Sequence, residues 1–171
     1  MTEPDPLEPR ELQAWMGFLA AAHLLEHEIE RQLKRDGGLT HPEFEVLVKL
    51  AVSEGRRLRM SDLARQVMVS KSRLTYQVTQ LERDGFVRRT ACESDRRAVW
   101  AELTEAGAEA LTKVRPGHRR VVRENLIDLL TPAELETLGP AFARVAERLR
   151  ERSARPAAED VAGDSAGGGS P

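Results

Sequence analysis

The sequence predicts a mainly helical chain with one small β-hairpin, and three observations carry that expectation. Through most of residues 11–152 apolar side chains recur every three or four positions, the spacing of a helix face. Only between residues 86 and 103 does the pattern turn to alternation, as a strand requires. Serine or threonine stands where a cap is needed at the start of nearly every periodic stretch. With 171 residues, 40% of them apolar, there is chain for about one domain and enough to build a core.

From Glu11 to Arg35, Leu12, Trp15, Leu19, Ala22, Leu25, Ile29 and Leu33 form one stripe of a long helix. Asp36-Gly37-Gly38 ends it, because glycine tolerates the left-handed cap conformation. Thr40 lies three before Glu43, with Pro42 in the first turn, a capping-box start for a second helix carrying Phe44, Leu47, Val48 and Ala51. Ser53-Glu54-Gly55 closes that helix. Ser61 is expected to cap a short third helix (Leu63, Ala64, Val67), and Ser70 a fourth with the stripe Leu74, Val78, Leu81. Two such helices a few residues apart predict a helix-turn-helix.

Phe86–Ala91 and Ala98–Leu103 read as two strands around a polar tip, Glu93–Arg97, and a hairpin directly behind a helix-turn-helix makes a winged helix. Thr104 and Glu105 start a fifth helix expected to run to about Leu130. Thr131, Pro132 and Glu134 start a sixth, with threonine at the cap, proline at the first position and glutamate at the third. Its Leu135, Leu138, Phe142, Val145 and Leu149 make a heptad seam. From Ser153 onward Val161 is the one large apolar residue, so the tail 153–171 is expected to be disordered. The expected organisation is therefore a first helix over 10–36, a winged lobe over 39–104, C-terminal helices over 104–152, and the tail.

Charge is unevenly placed. Eleven basic and five acidic residues lie between Arg56 and Arg97, a surplus of six positive charges in a chain whose net charge is −2. A basic centre in an acidic chain is the footprint of a module that sits on phosphates. The fourth helix sharpens this reading. Opposite its apolar stripe it carries Ser72, Arg73, Tyr76, Thr79, Gln80 and Arg83, groups suited to base edges or phosphates and free of any acid. Thr75 borders that face, and Ser70, Lys71 and Ser72 stand at the helix N-terminus, where free amides favour a phosphate. Ser61, Arg57, Arg59 and Arg89 are further phosphate candidates. At the wing tip Asp95 and Arg97 lie two apart and share a strand face, so the aspartate can hold the arginine out toward a minor groove, with Arg96 beside it. Double-stranded DNA is the expected partner.

Other chemistries find little support. One cysteine, Cys92, excludes a disulfide framework and suits a reducing interior, so cytoplasm is the expected location. The longest apolar stretch, Trp15–Leu25, is interrupted by Gly17 and His23 and is too short for a bilayer, which takes about 20 apolar residues; no membrane association is expected. No phosphate-binding glycine loop, nucleophile elbow or His-Glu-x-x-His pair is present, so no catalytic residue is assigned and an enzyme is not expected. Of the histidines His23, His27, His41 and His118, the first two stand four apart on one helix and could chelate zinc with Glu26 or Glu30, but no full ligand set is evident and no metal is assigned. The alternatives to a DNA-binding regulator are a winged-helix adaptor that binds protein and a zinc-responsive regulator.

Val69-Ser70 and the run Leu81-Glu82-Arg83-Asp84-Gly85-Phe86-Val87, then Asp95-Arg96-Arg97 and Glu102-Leu103-Thr104-Glu105-Ala106-Gly107, resemble the MarR family of bacterial transcriptional regulators. The resemblance spans roughly residues 10–150 and includes Gly38-Leu39-Thr40. It implies a cytoplasmic homodimer whose first, fifth and sixth helices interlock, which makes Leu12, Trp15 and Leu19 together with Leu135, Leu138, Phe142, Val145 and Leu149 the expected dimerisation residues. It also implies two winged lobes that read a pseudo-palindromic operator, repression of transcription, and Asp95 and Arg97 as buttress and minor-groove finger. No cofactor is implied, but a small aromatic or phenolic effector is, lodged between the winged lobe and the dimer helices. Many members carry arginine after the threonine of the recognition helix, whereas here Tyr76 follows Thr75, so base preference should differ. The peroxide-sensing branch places a reactive cysteine near the amino end, and this chain has none there.

Overall fold

Glu8 opens the first helix by donating its backbone N–H to the Glu11 carboxylate at 2.9 Å. The helix, α1 (Pro9–Gly37), ends at Gly38, whose φ of 72° is the left-handed cap conformation. This computed structural model describes residues 5–67, 69–92 and 95–154, without the side chains of 92–97 and 153–154. Two units are present, residues 1–129 and 130–171.

The first unit is built as its caps dictate. Thr40 N–H donates to Glu43 at 2.8 Å and Thr40 Oγ1 accepts the Glu43 amide at 3.3 Å, so α2 (His41–Val52) starts on the expected box. A three-residue turn with Gly55 at φ 62° leads into β1 (Arg57–Arg59), then α3 (Met60–Val67) and α4 (Lys71–Arg83). The hairpin is β2 (Val87–Cys92) and β3 (Asp95–Leu103), followed by α5 (Glu105–Asn125), on which Thr104 Oγ1 accepts the Gly107 amide at 3.0 Å. The antiparallel sheet has the order β1-β3-β2, with Arg59 opposite Trp100 and Trp100 opposite Thr90.

Leu33, Leu39, Leu47, Leu50, Leu63, Leu74, Leu81, Ala101, Leu111 and Val114 belong to a single buried cluster that ties α1, α2, the helix-turn-helix, the sheet and α5 together. At both glycines of α5 a Cβ would meet close neighbours. A Cβ on Gly117 would lie 2.4 Å from Asp36 Oδ2 where α5 crosses α1, and one on Gly107 would lie 2.2 Å from the Phe86 carbonyl oxygen. Beside Gly117, Gln32 is buried and its Nε2 donates to Val114 O at 3.2 Å and Asp36 Oδ2 at 2.8 Å. Along the amino half of α1, Leu12, Trp15, Met16, Phe18, Leu19 and Leu24 are all exposed.

The second unit holds α6 (Pro132–Ala154). Thr131 and Glu134 form the expected reciprocal cap at 2.7 and 3.3 Å. Along its seam Leu135 and Leu138 are half-buried, while Phe142, Val145 and Leu149 are exposed.

Five expectations are corrected. The sheet has three strands, not two, because Arg57–Arg59 pairs with β3. Ser61 is the second residue of α3 and not its cap. The second strand begins at Asp95, inside the expected polar tip, with Cys92 paired to Asp95 across a register shift after Ala91. α5 stops at Asn125, and Ile127–Leu129 form a short 3-10 turn instead of its last turn. α6 runs to Ala154, two residues into the segment expected to be disordered, whereas residues 155–171 lie outside the described residues.

Candidate nucleic-acid interface

Ser70 fixes where α4 begins: its Oγ accepts the Arg73 amide at 3.3 Å. From that start the 3.6-residue period turns Leu74, Gln77, Val78 and Leu81 into the core. Lys71, Ser72, Arg73, Thr75 and Tyr76 are left exposed and Thr79 and Gln80 half-buried. Tyr76 is 67% exposed, high for an aromatic side chain. Thr75 Oγ1 donates to Lys71 O at 2.8 Å and Thr79 Oγ1 to Thr75 O at 2.7 Å. Both hydroxyl protons are therefore committed to the helix, and each threonine presents outward an acceptor oxygen and a methyl group.

Beside α4, a groove of about 490 Å³ between α3, α4 and the hairpin is lined by Arg59, Met60, Ser61, Thr75, Arg89, Ala98 and Val99. It brings three of the four further phosphate candidates together. Arg89 is already engaged, for its Nε donates to Glu82 at 2.9 Å and its amide to the other carboxylate oxygen at 3.2 Å. That guanidinium holds the Glu82 carboxyl below its usual range. The Arg59 guanidinium lies 5.5 Å from the centre of the Trp100 ring. Arg57 is not in this groove: it lies 4.9 Å from the same ring and 3.9 Å from Glu102. Glu102 accepts from Thr90 Oγ1 at 2.8 Å and Arg88 Nε at 2.7 Å, bonds that keep it ionised.

The backbone of Asp95, Arg96 and Arg97 belongs to β3, but their side chains, and that of Cys92, lie outside the described residues. The expected buttress and finger are thus placed on a strand and no further.

A second groove, of about 660 Å³, runs between α1, the start of α2 and α4, with His23, Glu26, His27 and Glu30 on one side and Arg73, Tyr76, Gln77 and Gln80 on the other. Glu30 is occupied, accepting the His41 amide at 2.6 Å. Among the described residues no group of three or more His, Cys, Asp or Glu side chains could hold a metal ion. His118 lies elsewhere, its ring 4.5 Å from Phe44 and 6.4 Å from His41; burial first and His41 second push its pKa down.

Sequence reasoning named no residue for an effector pocket and passed over Gln77, which is buried with no partner for Oε1 among the described residues. Its position three after Leu74 and four before Leu81 was the available signal, since that spacing places it on the buried stripe. It also did not place Trp100 beside the arginines, because that pairing depends on β1.

Residues 39–99 match the model of the MarR family. The HTH-type transcriptional repressor YetL of Bacillus subtilis is 32% identical over 126 residues, 72% of each chain. Among solved structures, Sco3205 of Streptomyces coelicolor, a MarR family transcriptional regulator in complex with DNA, is 44% identical with a TM-score of 0.84, covering 86% of this chain and 92% of its own. AbsC, a MarR family transcriptional regulator of the same organism, is 47% identical with a TM-score of 0.83, covering 86% and 99%.

Proposed function

Because this chain belongs to the MarR family of transcriptional regulators, we propose that it binds a pseudo-palindromic operator as a homodimer, represses by excluding polymerase, and is released by a small effector. The observation that carries the reading is the solvent face of α4. It offers Ser72, Arg73, Tyr76, Thr79 and Gln80 with no carboxylate among them, and Glu82 is turned to Arg89. In a major groove, arginine suits guanine and glutamine adenine, while a threonine methyl suits the thymine methyl. The 44%-identical relative solved with DNA supports the same partner here.

Leu12, Trp15 and Leu19 on α1 and Val145 and Leu149 on α6 are exposed, and apolar residues clustered in this way support assembly with a second copy. The groove between α1, α2 and α4 supports the effector, an aromatic or phenolic molecule, because three of its lining residues, Arg73, Tyr76 and Gln80, are also base-reading candidates. A ligand there would favour the conformation that cannot dock. The cytoplasm is the compartment where such a regulator acts, and no described helix is long and apolar enough to cross a membrane.

The test is fluorescence anisotropy on duplexes tiled across the DNA upstream of the protein's own gene, with a scrambled control and two salt concentrations. Tight, salt-sensitive binding to one tile is expected, lost in part when Arg97 is replaced by alanine while the dimer persists. Weak binding to every tile, indifferent to salt, would refute the reading in favour of a protein-binding adaptor.

A further inference from the structure

If α4 lies in a major groove and the hairpin tip in the adjacent minor groove, the sugar-phosphate strand that divides the two grooves must cross between them. The space between α4 and the hairpin is the 490 Å³ groove lined by Arg59, Ser61, Thr75 and Arg89. Among the described residues two cations face it, and their situations differ. Arg89 is neutralised by Glu82 through its guanidinium and its amide. Among the described residues Arg59 has no carboxylate partner, and the acid across the sheet from its strand, Glu102, is taken up by Thr90, Arg88 and Arg57. What Arg59 has instead is the Trp100 ring, its partner across the β1–β3 register. An indole face holds a guanidinium by cation–π attraction without consuming its N–H donors, whereas a carboxylate would consume them.

We propose that Arg59 is a phosphate-binding residue in the groove between α4 and the hairpin, and that Trp100 is the positioning residue that presents it. The proposal rests on the DNA-binding reading above and deepens it. Ser61, exposed at the start of α3, supplies a hydroxyl to the same strand, and Arg89 stays with Glu82. Holding the guanidinium in place before binding leaves less side-chain entropy to lose when the phosphate arrives. The contact reads no base, so it sets affinity and docking register and leaves sequence preference to α4.

The experiment uses the full chain and a duplex selected by it from a random pool, with affinity measured across a salt series. R59A should lower the slope of log affinity against log salt by about 0.9, one phosphate's worth of released counterions. W100L, which removes the ring and keeps an apolar side chain, should weaken binding about two- to fivefold, the range set by a cation–π contact. W100F, which keeps a π face, should recover most of that loss. In the R59A background W100L should cost nothing further, a result that a merely structural role for Trp100 would not give. An unchanged slope in R59A, with wild-type binding intact, would overturn the phosphate-binding role of Arg59 and leave the DNA reading standing. Equal losses in W100F and W100L, or additive losses in the double variant, would overturn the positioning role. Failure of the wild-type chain to enrich any duplex would overturn both.

Discussion

Replacing Gly107 by alanine sets two ordinary effects against each other at the root of the hairpin. Gly107 lies in the first turn of α5, and by helix propensity alone alanine would stabilise by up to about 1 kcal/mol. The added Cβ would stand 2.2 Å from the Phe86 carbonyl oxygen, more than 1 Å inside the 3.4 Å at which ordinary contact begins, and 2.8 Å from Leu103 Cδ1. Phe86 O is backbone and cannot swing aside. It also accepts the Thr104 amide at 3.1 Å, so any retreat stretches that bond. Overpacking of this kind costs about 1–3 kcal/mol, and weakening the hydrogen bond adds about 1 kcal/mol. The balance is a net loss of about 1–3 kcal/mol, which for a chain of this size lowers Tm by about 2–4 °C per kcal/mol. Thermal unfolding followed by circular dichroism reads the effect, and the reverse change at the exposed neighbour, A106G, calibrates propensity in the same turn. A G107A Tm at or above the wild-type value would refute the close approach of α5 to the hairpin.

Other predictions follow from single contacts. T40A removes the side-chain acceptor of the α2 cap and should cost about 1 kcal/mol in urea unfolding, without change in the m-value. His118 is held neutral by burial, so its folded pKa lies below that of the unfolded chain. The unfolded state then binds more protons as pH falls through about 6.5, and stability drops there until the folded pKa is passed. H118Q should flatten the stability profile below about pH 6.5. On the proposed DNA face, the Thr79 hydroxyl proton is spent on Thr75 O, and the methyl is what it would offer to a thymine. T79V should therefore bind the selected duplex as the wild type does, and T79S about fourfold more weakly, the worth of one buried methyl.

The parts of this fold that were legible are those whose signal is local. Caps at Thr40, Ser70, Thr104 and Thr131 need only a few residues to be read, and each makes the expected hydrogen bond. Strand β1 was missed because Arg-Leu-Arg is too short to show alternation; pairing with Glu102, Ala101 and Trp100, distant in sequence, makes it a strand. The end of α5 was overrun because Leu126, Ile127, Leu129 and Leu130 continue an apolar pattern that does not distinguish an α turn from a 3-10 turn. At the interface the outward residues of α4 were legible once Ser70 fixed the helix start. Whether a given arginine is available was not, since Glu82 reaches Arg89 seven residues on and Trp100 meets Arg59 only through the sheet.

On α4, the residues that hold the helix to its lobe and those that face outward are almost separate sets. Leu74, Val78 and Leu81 are fully buried, whereas Ser72, Arg73 and Tyr76 are exposed. Changes among the second set carry little thermodynamic penalty for the lobe itself. A duplicated copy of such a gene can therefore drift to a new operator one outward residue at a time and remain folded at every step. The same separation gives an engineer a short list of positions to randomise when building regulators that ignore one another's sites.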